Sequence, residues 1–313
     1  MTGMTLVAER RERAAVPAMS HPGTRPGGEA VLRVLSEDEL AAWRRAKGQR
    51  LVRSRGRWWE QVKPGFYQAI HWMARLRRVE IGRPTASCWG FRTTLHDDDA
   101  GAANGWLPVH LLSDLGRYDF DALPAKSRNK LRKCWKSNEI VEVTEPQVLR
   151  DQGYAVRCSV YQRTGMWPPA SEAEYVAGVD GYMSNPCRLV LAGLAKGRLR
   201  GYLDGFAVDG TAYIDHLYVH SGALQTEVGT GLVFEFVQAC RRSGLVREIV
   251  YGLDVPSDQS LKQYKEKMGF PVVKIPTRQW LLQPAGAFIR WWRPEVYYRL
   301  TGDDGVLRGS RAP

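Results

Sequence analysis

The chain has 313 residues, 44% hydrophobic and 25% charged, a globular composition with enough apolar side chain for one large domain or two ordinary ones. Forty-five Lys and Arg against 33 Asp and Glu leave a formal charge of +12, which favours polyanionic partners such as RNA, nucleotides or anionic lipid surfaces, although an Arg-rich composition without such a purpose gives the same sum. Five scattered cysteines without a C-x-x-C pair argue against a disulfide framework or zinc cluster, no run approaches the ~18 apolar residues of a membrane span, and the N-terminus lacks the apolar core of a signal peptide, so the expected compartment is the cytoplasm and no metal is expected.

In chain order, residues 1–28 lack apolar periodicity and end in Pro and Gly, which predicts a disordered arm. Residues 29–122 read as an N-terminal α/β region. Ser36 to Glu39 has capping-box spacing, and Leu40 and Trp43 follow at helical intervals. Trp58, Trp59, Phe66, Tyr67 and Trp72 then interleave with Arg and Lys. Such a pattern can stack on and neutralise a nucleic acid, but buried aromatics with outward-snorkelling arginines are its commoner origin. Residues 88–95 and 105–112 read as strands around Asp97, Asp98 and Asp99, a solvated acidic turn rather than a metal loop.

A second region is expected over 123–301. Ser127 is the predicted N-cap of a helix carrying Lys126, Arg128, Lys130, Arg132, Lys133 and Lys136 around an apolar seam of Leu131, Cys134 and Trp135, with a strand after it. This is the densest positive charge in the chain, and it serves either as a solvated face or as a phosphate-facing surface. Helices are expected over 149–166 and 171–184, the second opened by a capping box from Ser171 to Glu174. The period then changes. Residues 188–194, 199–208 and 211–219 form a predicted antiparallel meander, joined at Lys196-Gly197 and Asp209-Gly210.

The meander leads into a loop holding Gly229 and Gly231 and a helix that stops at Gly244. A strand feeding such a helix mouth presents unpaired N–H groups and the positive end of the helix dipole to an anion. A short strand over 247–251, a helix over 257–268 and a last strand over 271–275 follow. Trp291, Trp292, Tyr297 and Tyr298, beside Arg290, Arg293 and Arg299, have the composition of a weak membrane-surface contact, docking on the domain being the commoner fate. From residue 302 the chain reads as a polar tail.

This order of elements resembles the GNAT N-acyltransferase fold, an α/β (α+β) arrangement with a mixed, mostly antiparallel central sheet flanked by helices. Ile214, Leu217 and Val219 on the strand, Gly229-Thr230-Gly231 in the loop and Met268-Gly269-Phe270 after the last helix carry the likeness. It implies that Val228, Gly229, Thr230 and Gly231, with Gln225 nearby, bind the pyrophosphate of acetyl-CoA or another acyl-CoA. The chain departs from the family at Thr226, where Arg or Gln is usual, and in the longer loop after Val219. A closer likeness is to the FemAB-type branch, carried by SRNKLRKCWKSNEIVEV and LKQYKEKMGF and covering Pro124 to Ile275. It implies aminoacyl-tRNA as the rival donor, with Tyr264 and Lys265 lining the channel to the reacting carbonyl. The N-terminal third can be read as a degenerate second GNAT-like unit.

Acyl transfer to an amine requires a held donor, a neutral amine and stabilisation of the developing oxyanion. Lys265 in a dry channel can supply the last. Asp215 and His216 are expected on opposite faces of the sheet, with Asp215 the preferred base and Tyr213, on the same face, an acid for the leaving group. A cross-strand pair or a capped turn is the structural alternative for both ionisable residues. The six histidines lack metal-ligand spacing. The expected function is N-acyl or aminoacyl transfer from a phosphate-containing donor to an amine acceptor, the alternative being a catalytically silent RNA-binding or scaffolding protein.

Overall fold

The computed structural model describes residues 22–165, 171–185, 187–254 and 258–301, so the expected tail from residue 302 and the expected arm up to residue 21 lie outside them. The end of that arm is not free chain. Thr24–Pro26 (β1) pairs antiparallel with a later strand, and Arg242 donates to the carbonyls of Gly27 and Ala30 at 2.9 and 2.7 Å. An edge strand is held by backbone groups, which leave no mark in apolar periodicity.

Val34–Leu35 (β2) leads to Glu37–Ala46 (α1), where Ser36 and Glu39 close the expected capping box. Leu51–Ser54 (β3), Arg57–Lys63 (β4) and Phe66–Ala69 (β5) form a meander, and Gly90–Thr94 (β6) and Gly105–Leu112 (β7) flank the acidic turn. The interleaved aromatics are core. Trp59, Phe66 and Tyr67 are buried, and the Arg45 guanidinium lies 4.1 Å from the ring centre of Trp58.

Ala125–Ser137 (α2) begins earlier than expected. Pro124 is its N-cap, while Ser127 is buried in the first turn and donates to the carbonyl of Lys267 at 2.9 Å. Then come Glu139–Val143 (β8), Gln147–Thr164 (α3) and Glu172–Met183 (α4), the last with its Ser171 capping box. Arg188–Ala195 (β9), Arg198–Val208 (β10) and Thr211–Val219 (β11) are the predicted meander. Lys196-Gly197 and Asp209-Gly210 all have positive φ, as tight hairpin turns between twisted strands require. Val228–Ser243 (α5) ends on Gly244, and Glu248–Leu253 (β12), Gln259–Lys267 (α6), Val272–Leu281 (β13), Gln283–Trp292 (α7) and Pro294–Thr301 (α8) complete the chain.

Twelve of these strands form one mixed sheet in the order β1-β8-β9-β10-β11-β12-β7-β13-β6-β5-β4-β3, with β2 added in parallel to the end of β10. The sheet crosses the boundary expected at residue 122, because β7 lies between β12 and β13 and runs antiparallel to both. One face is covered by α2, α5 and α6 around Leu131, Leu203, Leu232, Phe236 and Phe270. The opposite face carries α3 and α4 over β8 to β10, and α1 farther along, over Phe206, Tyr213 and Val250. Within the C-terminal pair, α8 docks through Tyr298, whose hydroxyl donates to the carbonyl of Asp254, whereas α7 leaves Phe288, Trp291 and Trp292 exposed. No helix among the described residues is long and apolar enough to cross a membrane.

Candidate active site

The parallel strands β11 and β12 pair only where Thr211, Ala212 and Tyr213 face Glu248, Ile249 and Val250; beyond that point they separate. Two irregularities open the wedge. On β11, the register against β10 passes from Asp204–His216 to Gly205–Ile214, so Asp215 is the extra residue of a β-bulge. A Cβ on Gly205 would collide with the carbonyl oxygen of Tyr213 and the ring of Phe236, so a glycine is needed at that close approach. On β12, the register against β7 shifts between Val250 and Leu253, with Gly252 at φ +75°. The result is a slot in mid-sheet.

On the α5 and α6 side, the slot is lined by Lys265, which is only 6% exposed. Its Nζ lies 4.8 Å from the ring centre of Tyr251 and makes no hydrogen bond or ion pair among the described residues. A Cβ on Gly252 would stand 3.7 Å from this Nζ, so the ammonium abuts the bend in β12. Burial lowers its pKa to about 8, with Asp254 and Asp258 opposing the shift. The hydroxyl of Tyr264 is buried close to Gly229, and burial raises its pKa. Sequence reasoning missed two neighbours. His110 donates through Nδ1 to the carbonyl of Phe270 at 3.1 Å, and its Nε2 lies 3.5 Å from Asp254, whose other oxygen is 3.6 Å from Lys262. His110 reaches this place only because β7 is inserted beside β12, which no local signal announces.

The mouth of α5 is tighter than the glycine pattern predicts. Val228 and Thr230 are almost fully buried, and the N–H groups of Thr230 and Gly231 both donate to the carbonyl of Glu227. Gly231 faces α2, where a Cβ would collide with Cys134 Sγ. Of the four expected positions, Gly229 alone is partly exposed, bordered by Leu217, Val219 and Tyr264. Glu227, at φ +59°, holds its carboxylate against Lys130 Nζ at 2.9 Å and the Thr230 hydroxyl at 3.3 Å. Thr226 exchanges hydrogen bonds with Asn138 at the end of α2, and Gln225 is exposed on the 3-10 turn Ser221–Thr226. The basic helix and the glycine loop, noted separately in the sequence, thus meet at Lys130. Lys126, Arg132, Lys133 and Lys136 remain exposed on the outer side of α2, and Arg128 is half-buried.

On the opposite face, the bulge overturns the expected separation of Asp215 and His216. Both join one cluster: the Arg188 guanidinium pairs with Asp204 and lies 2.9 Å from Asp215, and His216 Nδ1 is 3.1 Å from Asp204 and 3.6 Å from Asp215. The three ligand atoms of Asp204, Asp215 and His216 are close enough for a metal, but Arg188 already occupies that position as the counter-cation. Burial holds His216 below the usual imidazole pKa, with Arg188 and Arg157 acting in the same direction. Asp215, Tyr213 and Gly252 line a cavity of about 380 Å³ closed by Trp43, Arg44 and Trp72. The Tyr213 hydroxyl accepts the N–H of Met73 at 3.2 Å, tying β11 to the N-terminal region.

A splayed parallel pair with a bulge, followed by a glycine-bearing helix mouth, is accompanied by a match of residues 157–270 to the model of the acetyltransferase (GNAT) family. The chain carries a GNAT domain. No curated protein sequence matches it. Among solved structures, FemX covers 84% of this chain and 96% of its own, with a TM-score of 0.55 at 9% identity. L-PGS from Bacillus licheniformis covers 86% and 99%, with a TM-score of 0.52 at 12% identity. At these identities the likeness is one of fold, and it extends beyond the GNAT domain into the N-terminal third. The GNAT domain with this extension is the architecture of an acyltransferase related in fold to FemX.

Proposed function

We propose that the protein transfers an acyl group from acyl-CoA to the amine of a small-molecule or peptide acceptor, the donor entering from the α5 and α6 side and the acceptor from the 380 Å³ cavity. The observation that carries this reading is the slot between β11 and β12 with Lys265 on one side and Asp215 on the other. On this reading the Gly229 N–H and Lys130 bind the donor's phosphates, and the acyl arm runs down the slot beside Leu217. The Lys265 ammonium stabilises the carbonyl oxygen as it becomes negative. The amine nitrogen bonds to the carbonyl carbon while Asp215 takes its proton, and the C–S bond breaks. Tyr264, on the donor side, protonates the departing thiolate; Tyr213, bonded to Met73 on the acceptor side, is less well placed for that role.

One observation favours aminoacyl-tRNA as a second donor. The exposed Lys126, Arg132, Lys133 and Lys136 continue outward from Lys130, whose ammonium is already paired with the Glu227 carboxylate. The test is to incubate the purified protein with labelled acetyl-CoA and, separately, with charged tRNA, in the presence of a panel of amines. Donor consumption that Lys265→Ala lowers ~100- to 1,000-fold is the expected result. Consumption of neither donor sinks the reading and leaves the silent RNA-binding alternative. The exposed Phe288, Trp291 and Trp292 on α7, with Arg290 and Arg293, are the surface through which any membrane contact would be made.

A further inference from the structure

A second cavity, of about 240 Å³, lies between α3, α4 and the sheet, on the far side of the Arg188 cluster from the first. Arg157, Tyr175, Tyr182, Tyr202, Tyr218 and His216 line it. Arg157 sets it apart. Its guanidinium lies 5.4 Å from the ring centres of Tyr175 and Tyr218 and donates at 2.9 Å to the Tyr161 hydroxyl, while its buried Nε has no partner among the described residues. Among the described residues it has no carboxylate partner, whereas the part-buried Arg57, Arg75 and Arg188 each have one. A cation withdrawn from water without a counter-ion is unfavourable, and the planar fork of a guanidinium is matched by a carboxylate.

Two further groups suit the same ligand. Among the described residues the buried Tyr182 hydroxyl has no hydrogen-bond partner and can meet a second ligand oxygen. His216 gives Nδ1–H to Asp204, which is fully buried, leaving the Nε2 lone pair unbonded among the described residues. The one acid on the lining, Glu174, is exposed and already accepts from the Ser171 N–H and hydroxyl at 2.8 and 2.9 Å, closing the first turn of α4. Tyrosine rings with Leu149 and Val179 form the remaining walls, which suit an apolar body.

We infer that this cavity binds an organic carboxylate with an apolar body, its carboxylate on Arg157, as a ligand site separate from the acceptor cavity lined by Asp215. The site does not rest on the acyl-transfer reading. L-phenylalanine and L-phenylalaninamide, which share an amine and differ in the carboxylate, are titrated calorimetrically into the protein without donor. The expected result is at least tenfold tighter binding of phenylalanine, a difference erased by Arg157→Gln, partly retained by Arg157→Lys and reduced several-fold by Tyr182→Phe. Equal binding of the two probes, binding of neither, or discrimination that survives both Arg157→Gln and Tyr182→Phe overturns the site.

Discussion

Lys265 and Asp215 differ in what surrounds their charge. The carboxylate of Asp215 is held by Arg188, while the ammonium of Lys265 faces an aromatic ring and a glycine bend. With its pKa lowered to about 8, Lys265 is mostly protonated at pH 7 and loses its charge as the pH rises through that value. If the charged form is the electrophile, kcat/KM falls above pH ~8. Arginine stays charged throughout this range, so Lys265→Arg removes the alkaline limb even if it lowers the plateau. A limb near pH 8 that persists in Lys265→Arg would assign it to another group. Neither the burial nor the neighbours of Lys265 could be read from the sequence, only its position in LKQYKEKMGF.

The two glycines in the first turn of α5 have different physical reasons. Gly231 is needed because α5 and α2 approach closely at Cys134, whereas Gly229 meets only Val219 at 3.3 Å and Leu217 and Tyr264 at 3.8 Å from a would-be Cβ. Gly231→Ala therefore overpacks a helix–helix contact and destabilises by about 1–3 kcal/mol. Gly229→Ala leaves the unfolding free energy within about 1 kcal/mol of the parent, yet raises KM for the donor by narrowing the slot. Urea titration and donor kinetics on the two variants check this; equal destabilisation with unchanged donor KM would show that both glycines serve packing. The β-bulge belongs to the same scale. Strict alternation puts Asp215 and His216 on opposite faces, and one extra residue opposite Gly205 brings them together.

Across the whole molecule, the N-terminal third is joined to the GNAT domain through β7 and through side chains that bury polar groups at the junction. His71, 5% exposed, lies edge-on to Tyr213. Burial, with Arg57, Arg75 and Arg247 adding to it, lowers its pKa to about 3. The imidazole is neutral in the fold and protonates near pH 6.5 when unfolded, so its stabilising contribution is present above pH ~6.5 and is lost as the pH falls toward about 3. Between pH 7 and 5 this amounts to about 2 kcal/mol. Urea unfolding at both pH values should show that loss in the parent and a smaller one in His71→Leu. An unchanged pH dependence in the variant would place the acid sensitivity elsewhere.

Whatever rests on neighbours along the chain was legible in the sequence. The capping boxes at Ser36 and Ser171, the two glycine hairpins, the stop of α5 at Gly244 and the basic face of α2 are all set within a few residues, by backbone sterics and local hydrogen bonds. The order of those elements was enough to suggest the fold. Tertiary structure alone decided what long-range pairing controls. It placed β7 and His110 beside β12, paired β1 with β8, gave Lys130 a partner in Glu227, and left Arg157 facing a cavity without a carboxylate partner among the described residues. The reason is the same in each case: a partner distant along the chain is chosen by the register of the whole sheet, and no short-range preference encodes it.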